Sequence, residues 1–194
     1  MNKPQGYDQA VASGGFKSIT AGTHKVKILK AIDTKSKAGQ PMLVLNCDIA
    51  DGEFKDYYRK AYDYKKQNYG SATWGCIIRK LCDEDDKKTI GYFKGMMTAI
   101  ENSNPGYVWD DTWDENTLRN KVACGVFDYD KPWQNDKGEM VQTVKIQSLR
   151  SIDMLGKVEP KGKQEIKPPF GKSNREAPPE QNKEWNITDE ELPF

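Results

Sequence analysis

His24-Lys25-Val26-Lys27-Ile28-Leu29-Lys30-Ala31-Ile32-Asp33 decides the fold. Apolar and polar residues alternate along it, with Val26, Ile28 and Ile32 on one face, the period of a half-buried strand. The extra apolar residue at Leu29 marks a bulge. Downstream, Thr34-Lys35-Ser36-Lys37-Ala38-Gly39-Gln40-Pro41 reads as a turn carrying lysines. Met42 to Ala50 forms a second strand with Leu43, Leu45, Cys47 and Ile49 inward. Asp51-Gly52 is a hairpin signal, which makes Glu53 to Tyr64 a third strand.

The period then changes. Trp74, Ile77, Ile78 and Leu81 fall at helical spacing, as do Ile90, Phe93, Met97 and Ile100. Asn102-Ser103-Asn104-Pro105-Gly106 stops the second helix. Lys121 to Asp130 and Met140 to Ser148 return to strand, joined by a long loop over 131–138. Three strands, a helical insertion and two further strands is the element order of an OB-fold. The expectation is a mainly β chain, a five-stranded OB-fold-like barrel over 1–157 with a helical insertion at about 70–120. A small α+β sandwich shares that strand order. Residues 158–187 read as a disordered linker, because six of the ten prolines lie beyond Lys157 and aliphatics are few there.

Composition narrows the function classes. The chain has 194 residues, 36% hydrophobic and 30% charged, and a net charge of +1, so it does not coat duplex DNA by bulk charge. Residues 1–157 lean basic and 158–194 lean acidic, as in a nucleic-acid-binding body with an acidic tail. Cys47, Cys76, Cys82 and Cys124 form no Cys-x-x-Cys pair and His24 is the single histidine, so no metal or cofactor is expected. Buried free thiols and the absence of an apolar leader suit the cytoplasm, with no membrane contact. Gly171-Lys172-Ser173 lacks the upstream glycine of a phosphate-binding loop, and no enzyme activity is expected. Asp128, Asp130 and Asp136 keep a magnesium-dependent nuclease as an alternative.

Binding candidates follow from the barrel reading. OB barrels bind oligonucleotides across strands 2–3 and through the loops joining strands 1–2 and 4–5. The expected third strand interleaves rings with cations: Lys55, Tyr57, Tyr58, Arg59, Lys60, Tyr62, Tyr64, Lys65 and Lys66. On a strand, Tyr58, Lys60, Tyr62 and Tyr64 share one face, and rings there stack bases while lysines meet phosphates. Lys35 and Lys37 join from one loop, Lys131 and Trp133 from the other. Trp74 reads as core, while Trp109 and Trp113, among acids, read as packing or partner contacts.

The tip Asp189-Glu190-Glu191-Leu192-Pro193-Phe194 places acids before an apolar end, a peptide suited to a basic-rimmed pocket. With the OB-like body and Pro-rich linker, it is similar to bacterial and bacteriophage single-stranded DNA-binding proteins, whose tails end in acids, an apolar residue, Pro and Phe. Phe93-Lys94-Gly95 through Ala99-Ile100-Glu101-Asn102-Ser103-Asn104-Pro105-Gly106-Tyr107 also resembles phage replication-module proteins of Gram-positive hosts. The helical insertion is larger than in the cellular proteins, and the aromatic positions do not align obviously with theirs. The resemblance implies sequence-tolerant binding of single-stranded DNA in a bacterial host's cytoplasm. It also implies recruitment of replication, repair or recombination proteins through the tail, and admits a homodimer. A non-DNA adaptor that works through its tail is the other reading.

Overall fold

The computed structural model describes residues 17–83, 85–110, 114–135 and 137–163. The expected linker beyond 163 and the acidic tip lie outside the described residues. Strands β1 (Gly22–Lys35), β2 (Pro41–Ile49), β3 (Ile77–Leu81), β4 (Val122–Tyr129) and β7 (Val144–Arg150) form one antiparallel sheet in the order β3-β2-β1-β4-β7. Its outer strands β3 and β7 approach each other, so the sheet curls into a nearly closed barrel. This is the OB-like arrangement expected from the element order. A small arm, β5 (Trp133–Gln134) paired with β6 (Met140–Val141), interrupts the path from β4 to β7.

Strand β1 serves both halves of the barrel. Gly22 to Lys27 pair with β4, and Val26 to Lys35 pair with β2. The register slips between Ile28 and Lys30, which places the bulge at Leu29. A bulge raises local twist, and here it coincides with the point where the strand passes from one partner to the other. Gly125 allows the tight curl, since a Cβ there would stand 2.8 Å from Val26 Cγ1 and 2.9 Å from Phe127 Cε2. The barrel interior holds Val26, Ile28, Leu43, Leu45, Cys47, Ile49, Phe127, Ile146 and Leu149.

Two expectations change. The third strand is not at 53–64: after turns over 51–56, Tyr57–Tyr69 is a helix, α1, ended by Gly70 in the left-handed region at φ 73°. Its sequence has no β-branched residue, and six of its thirteen residues, three Lys with one each of Arg, Ala and Gln, favour helix. The third strand is instead Ile77–Leu81, read above as helical. Its β-branched Ile77 and Ile78 continue a hydrogen-bonded path that starts at Cys76, whose carbonyl accepts from Cys47 N at 2.9 Å. Trp74 packs in the core as expected, but from the irregular segment before β3 and not from a helix, with Nε1 donating to Cys47 O at 2.9 Å.

The second helix, α2 (Lys87–Ser103), ends where expected. Asn104 fastens that end to β4: its Nδ2 donates to Ile100 O and Val122 O, and its Oδ1 accepts from Val122 N. α2 buries Phe93, Met96, Met97 and Ile100 against the barrel and packs on β3, β4 and β7. Helix α1 seals the core elsewhere, with Tyr58 stacked on Phe127 at 6.4 Å. The four cysteines are free, and Cys47, Cys76 and Cys124 are buried. Burial and a side-chain hydrogen bond to Cys47 push the Cys76 thiol well up. Residues 158–163, assigned by composition to the linker, lie against the barrel. Lys161 N donates to Asp128 at 3.0 Å and Lys163 sits over the Tyr129 ring.

Candidate nucleic-acid interface

The barrel exterior follows from strand alternation. Leu43, Leu45, Cys47 and Ile49 face the core, so Met42, Val44, Asn46 and Asp48 face outward. Cross-strand partners complete the rows: Lys27 beside Asp48, Lys30–Asn46–Ile77, Ile32–Val44–Arg79 and Thr34–Met42–Leu81. These rows carry the cations Lys27, Lys30 and Arg79, with Ile32, Ile77 and Leu81 half-buried between them. Sequence reading missed them because the interest of β3 was hidden by its helical spacing. Lys27 and Lys30 were visible as the polar alternates of β1.

Asp48 is the one carboxylate in these rows, and α1 uses it. Its Oδ1 accepts from Ile49 N at 2.8 Å and Tyr58 N at 3.0 Å, and its Oδ2 accepts from Arg59 N at 3.0 Å. The residue preceding α1, Asp56, makes no side-chain cap, so Asp48 takes that role from a neighbouring strand. Burial raises the Asp48 carboxyl above its ordinary range, and the N–H donors oppose that shift. The two bonds from Tyr58 and Arg59 tie the start of the inserted helix to β2.

The expected site residues separate into groups. Tyr58 and Tyr62 are core rings, 7% and 5% exposed, because their spacing of four puts both on the inner face of α1. They present no ring to a base, and the strand face proposed for them does not exist. Burial pushes the Tyr58 hydroxyl well up. Tyr57 is half-buried, edge-on to Phe54 and Tyr58. Lys55, Arg59, Lys60, Lys65 and Lys66 are exposed, and α1 carries four cations against the single acid Asp63. Tyr64 is 43% exposed and meets Tyr69, 72% exposed, edge to face at 6.5 Å. Tyr69 lies past 53–64, the segment whose pattern predicts a strand, so no sequence signal marks its ring as a candidate.

The two loops leave opposite ends of β1. Gly22 pairs with Phe127 near the exit of β4, whereas Lys35 pairs with Pro41, about 40 Å of strand contour away. Lys131 and Trp133 therefore lie toward the end where α1 begins, and Lys35 and Lys37 lie at the other. Trp133 is 50% exposed on the small arm, opposite Val141. The turn with Lys37 is braced by Gln40, whose Nε2 donates to Asp83 at 2.6 Å.

The acids weighed as a magnesium site have other partners. Asp128 is buried and accepts from Tyr129 N and Lys161 N, while Asp130 pairs with Lys145 at 2.6 Å, which lowers its carboxyl. Asp136 lies outside the described residues. Among the described residues no cluster of three or more His, Cys, Asp or Glu could hold a metal ion. Trp109 packs at the core margin, its backbone N–H donating to Glu101 Oε1 at 2.8 Å; Trp113 lies outside the described residues. No helix among the described residues is long and apolar enough to cross a membrane. No protein-family model matches the chain, and a search of curated proteins finds no relative for it.

Proposed function

We propose that the chain is a sequence-tolerant single-stranded DNA-binding protein of a phage replication or recombination module. The barrel holds the strand, and the tip at 188–194 recruits partner enzymes. The observation that carries the reading is the exterior face of β1, β2 and β3. It bears Lys27, Lys30 and Arg79, and its one carboxylate is already engaged by α1. That is the surface on which barrels of this topology take oligonucleotides. Trp133, Tyr64 and Tyr69 are exposed rings on which a base could stack, each contact worth about 1–3 kcal/mol.

Fluorescence anisotropy tests the reading with labelled oligo-dT and a duplex of equal length. Tighter binding of the single strand is expected. Log affinity should fall with log salt at roughly −0.7 per phosphate neutralised. Equal affinity for both strands, or a flat salt response, rejects the proposal. Degradation of the oligonucleotide in magnesium would favour the nuclease. Deleting 188–194 should leave oligonucleotide affinity equal or higher and abolish capture of replication proteins; lost DNA binding would contradict that division.

A further inference from the structure

Asn46 is 1% exposed, yet neither its Nδ2 nor its Oδ1 has a hydrogen-bond partner. Buried polar groups are nearly always paired, because an unmet donor or acceptor retains the full cost of leaving water. A leucine of similar volume would avoid that cost. The same strand shows that it can satisfy a buried polar group, since Asp48, two residues on, receives three N–H donors. The unmet amide is therefore tied to something other than holding the fold.

Its surroundings suggest what. Asn46 faces the barrel exterior between Lys30 and Ile77, with Lys27 and Arg79 in the adjoining rows. Its partners across the sheet, Lys30 and Ile77, belong to the same exterior row, so the amide lies on that face and not among the residues of the barrel interior. A carboxamide presents one donor and one acceptor side by side in a plane. The matching chemistry is a planar group with an adjacent acceptor and donor, which is the hydrogen-bonding edge of a nucleobase. Rotating the amide by half a turn reverses the order, so one asparagine can serve any of the four bases. In a duplex the Watson–Crick edge is already occupied.

We propose that Asn46 hydrogen-bonds the exposed edge of one unpaired base and so helps the barrel select single strands over duplex. This rests on the single-strand reading above. Ile77 lies against the base, and Lys27, Lys30 and Arg79 meet the backbone on either side.

The test uses the full chain with Asn46→Leu, read by urea denaturation and by anisotropy on two labelled probes, oligo-dT and an abasic strand of equal length. The variant should be at least as stable as wild type, bind oligo-dT more weakly by on the order of tenfold, and bind the abasic strand unchanged. Asn46→Ala, which adds no bulk, repeats the measurement if the branched side chain does not fit. Unchanged affinity for oligo-dT overturns the proposal. So does a loss of stability in both variants, which would reveal a partner within the fold. Equal weakening on both probes also overturns it, because the amide would then act on shape or backbone. If wild type does not prefer the single strand, the functional reading fails and this inference falls with it. If only the variant results disagree, Asn46 alone is misassigned.

Discussion

Asp48 and Asn46 stand two residues apart on the same exterior face of β2, 3% and 1% exposed, and their hydrogen bonding is opposite. Asp48 carries a charge into a buried position and is met by three backbone N–H groups, two of them from the first turn of α1. Asn46 carries no charge and is met by nothing. Burial alone therefore does not separate a structural polar group from a functional one. The count of satisfied partners does, because a group that stabilises the fold must recover through those partners what it loses on leaving water.

The same contrast holds for rings, and it gives the largest expected effect. Tyr58→Ala removes a core ring stacked on Phe127 and should lower unfolding free energy by about 3–5 kcal/mol in urea titrations. Small loss of stability would mean that Tyr58 is not the plug its burial implies. Asp48→Ala strips the first turn of α1 of its acceptor and should lose on the order of 2–3 kcal/mol, with reduced helical signal in circular dichroism. An unaltered α1 would break the distinction from Asn46.

Trp133→Ala lies at the opposite pole: half-exposed on the arm, it should leave stability unchanged and weaken oligo-dT binding by about 1–3 kcal/mol. Asn46→Leu should raise stability by about 1 kcal/mol, the reverse sign from Asp48→Ala on the same strand face.

The smallest effect concerns pH. The folded-state carboxyl of Asp48 lies above its ordinary value of 3.8, so the folded chain holds that proton more tightly than the unfolded chain. Stability from this group is full below about 3.8 and declines as pH rises through the folded value. Acidifying from pH 7 should therefore stabilise wild type relative to Asp48→Asn, measured by thermal melts at several pH values. Asp86 and Asp130 are shifted the other way, and their contribution is lost only as pH falls below the ordinary carboxylate value. A difference between wild type and Asp48→Asn that does not move in favour of wild type as pH falls from 7 toward 3.8 would contradict the assignment.

The alternation of β2, the inward face of β1 up to Ile28, the bulge at Leu29 and the stop after α2 were readable because each rests on local pattern. Beyond the bulge the faces exchange, so Ile32, expected beside Val26 and Ile28, instead pairs with outward-facing Val44. The exchange of helix and strand between 53 and 81 was not readable. Tyr58 and Tyr62 are four apart, a spacing that satisfies a period of two and a period near 3.6 alike. What settles α1 is an acceptor in β2, a long-range contact that no window over 57–69 contains. Ile77–Leu81 is only five residues long and derives its pairing from β2. Asn46 was hidden for a related reason: a polar residue at an outward strand position reads as solvent-facing, and its burial appears only when neighbouring strands and side chains are in place.

The most direct test of the exterior face as the DNA-holding surface is a nitrogen–proton correlation NMR titration of the labelled full chain with unlabelled oligo-dT. The account predicts that the side-chain amide of Asn46 and the backbone signals of Lys30, Ile77 and Arg79 shift together with saturable dependence on oligonucleotide, while exposed Lys94 and Thr98 of α2 stay in place. An Asn46 amide that does not move while other signals shift would contradict it.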